Sequence, residues 1–245
     1  MGVLDSVFDT QNEAELLKAD KGFSGTKIEE SGVFLFKISM AKQVDSGSSA
    51  SKNFKLELET EKGAKAYWDA GWYIGKKGDN MDSKGNLLIA AASLARATYL
   101  ISGSKDLPVV TPRTIKEYDW DTKSEVDVIR NVSPDLVGKF IKAQVVRKRV
   151  NKQVDSGRKD ANGYAIWVDG PEEKFVNEVK RFYDATTGQT FGEKMLNKDA
   201  TDIAKDTEYC AKNPVLDKYK EVKGVASAPT GTASTAAPVT SGFGS

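Results

Sequence analysis

The chain has 245 residues, of which 39% are hydrophobic and 29% charged, and its formal net charge is +1. It can bury a core as one large domain or two small ones, and any electrostatic attraction to a partner must come from local clusters of charge. Because it has no histidine and a single cysteine, Cys210, the composition excludes histidine-activated nucleophiles, an internal disulfide and a thiolate zinc site.

The N-terminal third predicts a helix followed by three strands. In residues 1–24, "TQNEAELLKA" has the composition of a short helix within an arm. The first strand is expected over Val33–Val44, and the second over Phe54–Thr60, where strict alternation turns Phe54, Leu56 and Leu58 to one side. An aromatic-rich third strand, "AYWDAGWYI", ends in a basic glycine turn.

The middle and C-terminal parts predict a helix, more strands and further helices. Asn86–Gly103 is rich in alanine and leucine and stops at a glycine, as helices do. The next proline-bounded stretch predicts extended segments, and strands follow over Leu136–Val150 and in "GYAIWVDG". From Pro171, the spacing of Phe175, Val179 and Phe182 predicts a helix. Shorter turns and helices are expected in "TTGQTFGEKML" and "DATDIAKDTEYCA", with Cys210 as a small, partly buried helical residue.

These elements suggest four regions along the chain. Residues 25–198 form the expected core domain with a hairpin extension, and residues 199–223 form a C-terminal helix. Residues 224–245 are uncharged and consist mostly of Ala, Ser, Thr, Gly, Pro and Val, which predicts a disordered tail. No stretch reaches the roughly 18 to 20 apolar residues of a membrane span, so we expect no membrane association.

The hexapeptide "KQVDSG" occurs at Lys42–Gly47 and again at Lys152–Gly157. Each copy follows an alternating apolar run and precedes a stretch with an aromatic residue, so both are interpreted as hairpin tips. The residues around the copies do not align, and chance reuse of a good turn explains the hexapeptide as well as a common purpose does.

Two clusters combine rings with cations, as proteins that bind single strands of nucleic acid do. The first lies at the third strand, where alternation puts positions 68 and 72 on one face and positions 67 and 73 on the other. One face is then expected to fill the core while the other shows a flat ring near lysines. This cluster comprises Tyr67, Trp68, Trp72, Tyr73, Lys76 and Lys77, and a milder neighbour is the first hexapeptide loop with Lys52 and Phe54.

The second cluster surrounds the later hexapeptide. Between Lys142 and Lys159 the chain carries seven cations and one carboxylate, Asp155. Such a run inside a valine-rich strand favours an anionic partner, although a solvated edge strand is the alternative. The predicted contacts are Arg147, Lys148, Arg149, Lys152, Arg158, Lys159, Tyr164 and Trp167.

Three strands, a helix and two further strands is the element order of the OB-fold, a five-stranded Greek-key barrel. We therefore expect a mainly β protein with helices, an α+β chain built on an OB-fold-like five-stranded barrel with a long basic hairpin and C-terminal helices.

The segments "GVFLFKISMAK", "SKNFKLELET" and "GAKAYWDAGWYIGKKGD", followed by a helix, resemble the core of bacteriophage single-stranded DNA-binding proteins. The later "LVGKFIKAQVVRKRV" and "VNEVKRFYDATTGQTFGEKM" are similar to the second half of that group. The resemblance covers roughly residues 25–198 and is one of pattern. It departs from the group at the tail, which is uncharged rather than acidic.

The resemblance implies sequence-tolerant binding of single-stranded DNA in phage replication, recombination or transcription. From the composition we expect that the protein is not an enzyme, holds no metal or cofactor, and resides in the cytoplasm. Candidate partners beyond DNA are replication, recombination or RNA polymerase proteins, and a homo-oligomer is a candidate assembly. The alternatives are a protein-interaction module acting as a transcription cofactor, a virion structural protein, and a metal-dependent nuclease using the acidic loop at Asp119 and Asp121.

Overall fold

A computed structural model describes residues 27–47, 49–119 and 121–222 of the chain. The predicted N-terminal helix and the predicted disordered tail therefore lie outside the described residues, as does Trp120. The described chain is mostly β-structure with few helices. Its strands are β1 (Gly32–Asp45), β2 (Lys52–Glu59), β3 (Lys65–Ile74), β4 (Thr111–Asp119), β5 (Ser124–Val132), β6 (Phe140–Lys159), β7 (Ala165–Tyr183) and β8 (Leu216–Asp217), and its helices are α1 (Ile89–Ser102), α2 (Phe191–Met195) and α3 (Asp202–Lys212).

The sheet is organised around β1, which has partners on both edges. One edge pairs antiparallel with β2, and the opposite edge pairs first with β6 and then, over two residues, with β5. The order across this part of the sheet is β3-β2-β1-β5-β4. Among the described strands β3 pairs only β2 and β4 pairs only β5, so the sheet is open at both ends of this path rather than closed into a five-stranded barrel.

The core confirms the alternation predicted for the first two strands. Phe54, Leu56 and Leu58 of β2 are fully buried, and so are Phe36 and Ile38 of β1. Because alternate residues of a strand point to opposite sides, the other side of β1 and β2 is left as an outer face with polar side chains. This outer face is where the candidate site is found.

The helix predicted over Asn86–Gly103 is confirmed as α1. It ends where expected, because Gly103 adopts the left-handed conformation (φ 77°) and its N–H donates to the carbonyl of Tyr99. Ala91, Leu94 and Leu100 are the buried residues that α1 contributes to the hydrophobic core. The short C-terminal helices are also confirmed, and Cys210 lies buried on α3.

The helix predicted to begin at Pro171 is wrong, because this segment belongs to the strand β7. Its residues Phe175, Val179 and Phe182 have helical spacing, yet β7 is held by pairing with β6. Local composition does not distinguish a helix from a strand in this segment, because pairing with a neighbouring strand determines its conformation.

The two copies of "KQVDSG" differ in structure. In the first copy, Lys42–Asp45 end β1 and the turn follows at Ser46. The second copy lies entirely within β6, and the chain reverses later, between Asp160 and Tyr164. The prediction that the second copy forms a hairpin tip is therefore wrong.

The described residues divide into two compact units. The first comprises residues 27–149 and 175–217, and the second, here called the hairpin unit, comprises residues 150–174 and 218–222. In the hairpin unit, the Asn151 side chain donates to the Gly170 and Lys220 carbonyls, and the Tyr219 hydroxyl donates to the Pro171 carbonyl. Within the described ranges no helix is both long and apolar enough to cross a membrane.

Candidate nucleic-acid interface

Two large rings of β3 lie on the same, outer face of the sheet. Tyr67 is 62% exposed and Trp72 is 49% exposed, whereas Trp68 is half-buried and Tyr73 is buried. The prediction that positions 68 and 72 share one face, and 67 and 73 the other, is therefore wrong. The exposed pair is Tyr67 with Trp72.

A bulge in β3 causes this change of face. Asp69 lies opposite Lys55 of β2, but Trp72 lies opposite Asn53, so β3 has one more residue than β2 between these two pairs. Gly71 lies in this extra stretch with φ 84°, a conformation that favours glycine. One extra residue in a strand reverses the side to which later residues point, and it brings Trp72 to the outer face.

The other predicted rings of this cluster belong to the core side. Trp68 packs edge-on against Phe182, with 5.0 Å between ring centroids. Tyr73 packs edge-on against the fully buried Phe54 and donates a 2.7 Å hydrogen bond from its hydroxyl to Gln43 Oε1. Burial, followed by the charge of Asp45, raises the pKa of Tyr73 to about 12. Phe54 and Tyr73 therefore cannot stack on a base without unfolding of the core, which corrects their assignment as contact residues.

The centre of the outer face carries charges that neutralise each other. Lys42 Nζ lies 3.2 Å from Glu57 and 2.9 Å from Glu117, and Arg130 donates from both Nε and Nη2 of its guanidinium to Glu117. The hydrogen bonds from Arg130 lead the causes that lower the pKa of Glu117 to about 2. This network stays ionised at neutral pH and offers little free positive charge.

Two further lysines of β2 are also paired. Lys55 lies 3.5 Å from Asp69, and the predicted contact Lys52 lies 3.1 Å from Asp45. These ion pairs are partly exposed, so each contributes little to stability. Their consequence is that the outer face is nearly neutral around its rings.

Free positive charge near Trp72 comes from the turn after β3. Lys76 and Lys77 are exposed and form no ion pair with any described residue. A Cβ added at Gly78 would lie 3.7 Å from the Ala50 side chain, so this turn is adjacent to the loop that follows the first hexapeptide. Trp72 at the end of β3 and Lys76 and Lys77 in the turn that follows are therefore all exposed.

The basic run of β6 is largely engaged within the protein. Arg147 donates from its guanidinium to the Ile28 carbonyl and lies 4.8 Å from the centroid of the Phe175 ring. Lys148 pairs with Glu178 of β7. Burial alone would raise the pKa of Glu178. The hydrogen bonds and charges of Lys148 and Lys180 together outweigh burial, so the pKa is lowered.

The next two cations of this run also have carboxylate partners. Arg149 lies 3.1 Å from Asp217 of β8, and in the hairpin unit Lys152 lies 2.7 Å from Glu172. The concentration of charge seen in the sequence is therefore compensated by neighbouring strands. The prediction that this run forms an open phosphate-binding patch is not supported by these contacts.

The end of the hairpin unit leaves rings and cations exposed. Tyr164 is 71% exposed and Trp167 is 61% exposed. Arg158 and Lys159 are exposed as well, without an ion pair to any part of the chain that the structure describes. These four predicted residues share the hairpin unit, whereas Tyr67 and Trp72 belong to the first unit.

One exposed ring on the outer face, that of Phe140, was not predicted from the sequence. Phe140 of β6 is 52% exposed and lies opposite Lys37 of β1, and Lys142 lies opposite the exposed Leu35. The signal was present in the alternation at the start of β6, where Ile141, the residue between Phe140 and Lys142, is fully buried.

The carboxylates considered for a nuclease behave as turn residues. Asp119 accepts hydrogen bonds from the Asp121 N–H and the Thr122 hydroxyl. The hydrogen bond from the Asp121 N–H leads the causes that lower the pKa of Asp119. Among the described residues, no group of three or more acidic or cysteine side chains could hold a metal ion.

Comparison with protein-family models finds no match to this chain, and comparison with curated proteins finds none either.

Proposed function

We propose that this chain is a non-catalytic protein that binds single-stranded DNA without sequence preference through the outer face of β1, β2 and β3. The observation that carries the proposal is the shared face of Tyr67 and Trp72, two large exposed rings of which Trp72 is brought to this face by the bulge. Exposed rings in a row are what stacking on successive bases requires.

We expect the affinity for single-stranded DNA to come mainly from the rings rather than from net charge. Stacking tolerates any base because every base has a π-face, and it contributes about 1–3 kcal/mol per base. Lys76 and Lys77 supply cations for phosphates, whereas Lys42, Lys52 and Lys55 are engaged in ion pairs. We expect an interface in which stacking dominates and electrostatic attraction is modest.

The sequence pattern supports the same proposal. Three meandering strands, a helix and two further strands precede β6, which is the element order of the OB-fold, although the sheet that they form is open. The resemblance to bacteriophage single-stranded DNA-binding proteins adds the biological setting of replication, recombination or transcription. Further partners would be proteins of those processes.

The direct test is binding of fluorescently labelled oligo(dT) measured by anisotropy at low salt. Tyr67→Ala and Trp72→Ala should each weaken binding about ten-fold, because each removes one stacking platform. Tyr209→Ala is the control, since Tyr209 is an exposed ring on α3 and belongs to none of the strands β1, β2 and β3. Its affinity should equal that of the wild-type chain.

The proposal fails if both ring variants bind oligo(dT) as tightly as the wild-type chain. It also fails if duplex DNA of equal length binds as well as oligo(dT), because paired bases cannot stack on a protein ring.

A protein-interaction module is the second candidate, and the hairpin unit favours it. Tyr164, Ile166, Trp167 and Val168 are all exposed apolar residues within one short stretch, and such patches often bind proteins. If this function is correct, Trp167→Ala should abolish binding to purified bacterial RNA polymerase while oligo(dT) binding is retained. Unchanged polymerase binding by this variant would contradict it.

A further inference from the structure

The side chain of Asn53 is buried, and its oxygen is unsatisfied. Asn53 is 8% exposed, and its Oδ1 atom has no hydrogen-bond partner among the described residues. Leaving a buried acceptor unpaired costs about 1–3 kcal/mol. Such a group in a folded protein calls for an explanation, because most buried polar atoms are paired.

Asn53 lies beside one of the two exposed rings. In the register of the sheet it is directly opposite Trp72 of β3 and directly opposite Val44 of β1. Its neighbour in sequence, Phe54, points into the core, so Asn53 belongs to the outer face. Side chains directly opposite each other on one face have Cβ atoms about 4.5–5.5 Å apart.

We propose that Asn53 Oδ1 accepts a hydrogen bond from the Watson–Crick edge of a base stacked on Trp72. This inference rests on the proposed function and adds to it a means of telling single strands from duplexes. Every DNA base carries an N–H donor on that edge, such as N3–H of thymine. In a duplex these donors are engaged by the opposite strand, so only an unpaired base can satisfy the asparagine.

The half-exposed Trp72 ring makes the contact reachable. The Asn53 oxygen lies below the surface of the free protein, and Trp72 is the large exposed side chain next to it in the register. The proposal requires that the Trp72 ring rotate toward the base, so that the oxygen is uncovered and meets a donor in the same step. The unpaired acceptor is thus satisfied only in the complex.

The test compares oligo(dT) with an oligonucleotide of equal length made of N3-methylthymine, which keeps the ring but lacks the N3–H donor. The wild-type chain should bind the methylated strand about five-fold more weakly, the usual contribution of one hydrogen bond. Asn53→Val removes the acceptor and keeps a side chain suited to a strand. It should bind both strands equally.

Asn53→Val should fold, because replacing an unpaired buried polar group by an apolar one is neutral or stabilising. Its melting temperature should match or exceed that of the wild-type chain. The inference is overturned if the wild-type chain binds both strands equally, or if Asn53→Val still disfavours the methylated strand. If Trp72→Ala has weakened oligo(dT) binding, either result overturns the inference about Asn53 and leaves the proposed function standing. If Tyr67→Ala and Trp72→Ala both bind oligo(dT) as the wild-type chain does, the proposed function and the inference are overturned together.

Discussion

At the scale of single residues, Glu193 shows how one carboxylate can hold several backbone groups. It accepts hydrogen bonds from the Thr190 N–H at the start of α2 and from the Thr201 and Asp202 N–H groups at the start of α3. The Thr190 hydroxyl completes a capping box by accepting from the Glu193 N–H. A single side chain therefore caps two helices.

The lowered pKa of Glu193 predicts how the stability of the folded chain depends on pH. Burial alone would raise the pKa of this carboxyl, but the hydrogen bonds from Thr190, Asp202 and Thr201 outweigh it and bring the pKa to about 2, below the ordinary 4.5. The unfolded chain therefore binds the proton more readily. The contribution of Glu193 to stability is present above about pH 4.5 and is lost as the pH falls toward about 2.

Urea denaturation at several pH values between 2.5 and 6 measures this effect. Glu193→Gln cannot ionise, so its stability should fall less steeply with decreasing pH than that of the wild-type chain. Equal pH dependence in the two proteins would show that Glu193 is not the group responsible. Glu117, whose pKa is also lowered to about 2, remains in both proteins and provides the common background.

At the scale of elements, β3 shows that a single glycine can determine which side chains reach solvent. A glycine inside a strand often marks a bulge, and Gly71 could have been recognised in that way from the sequence. Simple alternation through this position assigns Trp72 to the wrong neighbours. The bulge gives the outer face its second ring.

We expect Gly71→Ala to destabilise the chain by about 1–2 kcal/mol, because alanine at positive φ is strained. The methyl group of the new alanine has room, since a Cβ at position 71 would lie 3.5 Å from the Ala90 side chain, which is an ordinary contact distance. A strand that relaxes this strain must lose the bulge and shift Trp72, so oligo(dT) affinity should fall with stability. Denaturant unfolding and anisotropy measure the two effects.

Gly192→Ala is the matched control for this substitution. Gly192 lies in α2 without a positive φ, and a Cβ there would meet no atom within 4 Å. Its stability should be unchanged or slightly raised, because alanine is the better helix former. If Gly71→Ala behaved like Gly192→Ala in both measurements, the bulge would have no part in positioning Trp72.

The elements also show which parts of the fold the sequence can predict. β1 and β2 follow from their alternating apolar residues, and α1 follows from its alanine- and leucine-rich composition and its terminal glycine. β7 does not, since Glu178 and its neighbours are acceptable in a helix and their strand conformation depends on pairing with β6. Pairing between distant segments leaves no local pattern.

At the scale of the whole molecule, charge is distributed in compensated pairs. The carboxylates that neutralise the basic run of β6 come from β7 and β8, as the pairs of Lys148 with Glu178 and Arg149 with Asp217 show. The rings of the candidate site could be proposed from the sequence because they cluster there. The neutralisation of its cations could not, because ordinary acidic residues far along the chain supply it.

This compensation predicts a weak dependence of DNA binding on salt. Each phosphate contact to single-stranded DNA contributes about 0.7 to the slope of log affinity against log salt concentration, so contacts from Lys76 and Lys77 alone give a slope of about −1.4. If the seven cations between Lys142 and Lys159 also bound phosphates, they would add about −4.9 to this slope. Titrations of oligo(dT) at several salt concentrations distinguish the two values.

Charge removal identifies the residues behind that slope. Replacing Lys76 and Lys77 by glutamine should bring the slope close to zero, whereas Arg149→Gln should leave it unchanged because Arg149 is paired with Asp217. A steep slope that Arg149→Gln reduces would mean that the basic run opens to bind phosphates.

The central place of β1 has a consequence for how the protein is made. Gly32 lies opposite Val145 and Lys37 opposite Phe140, so the start of β1 receives its β6 partner only after more than a hundred further residues have been synthesised. At the usual rate of translation that delay is about 5–20 s. During this time the apolar start of β1 presents an unpaired backbone edge to other nascent chains, so slow translation between β1 and β6 should favour aggregation over folding.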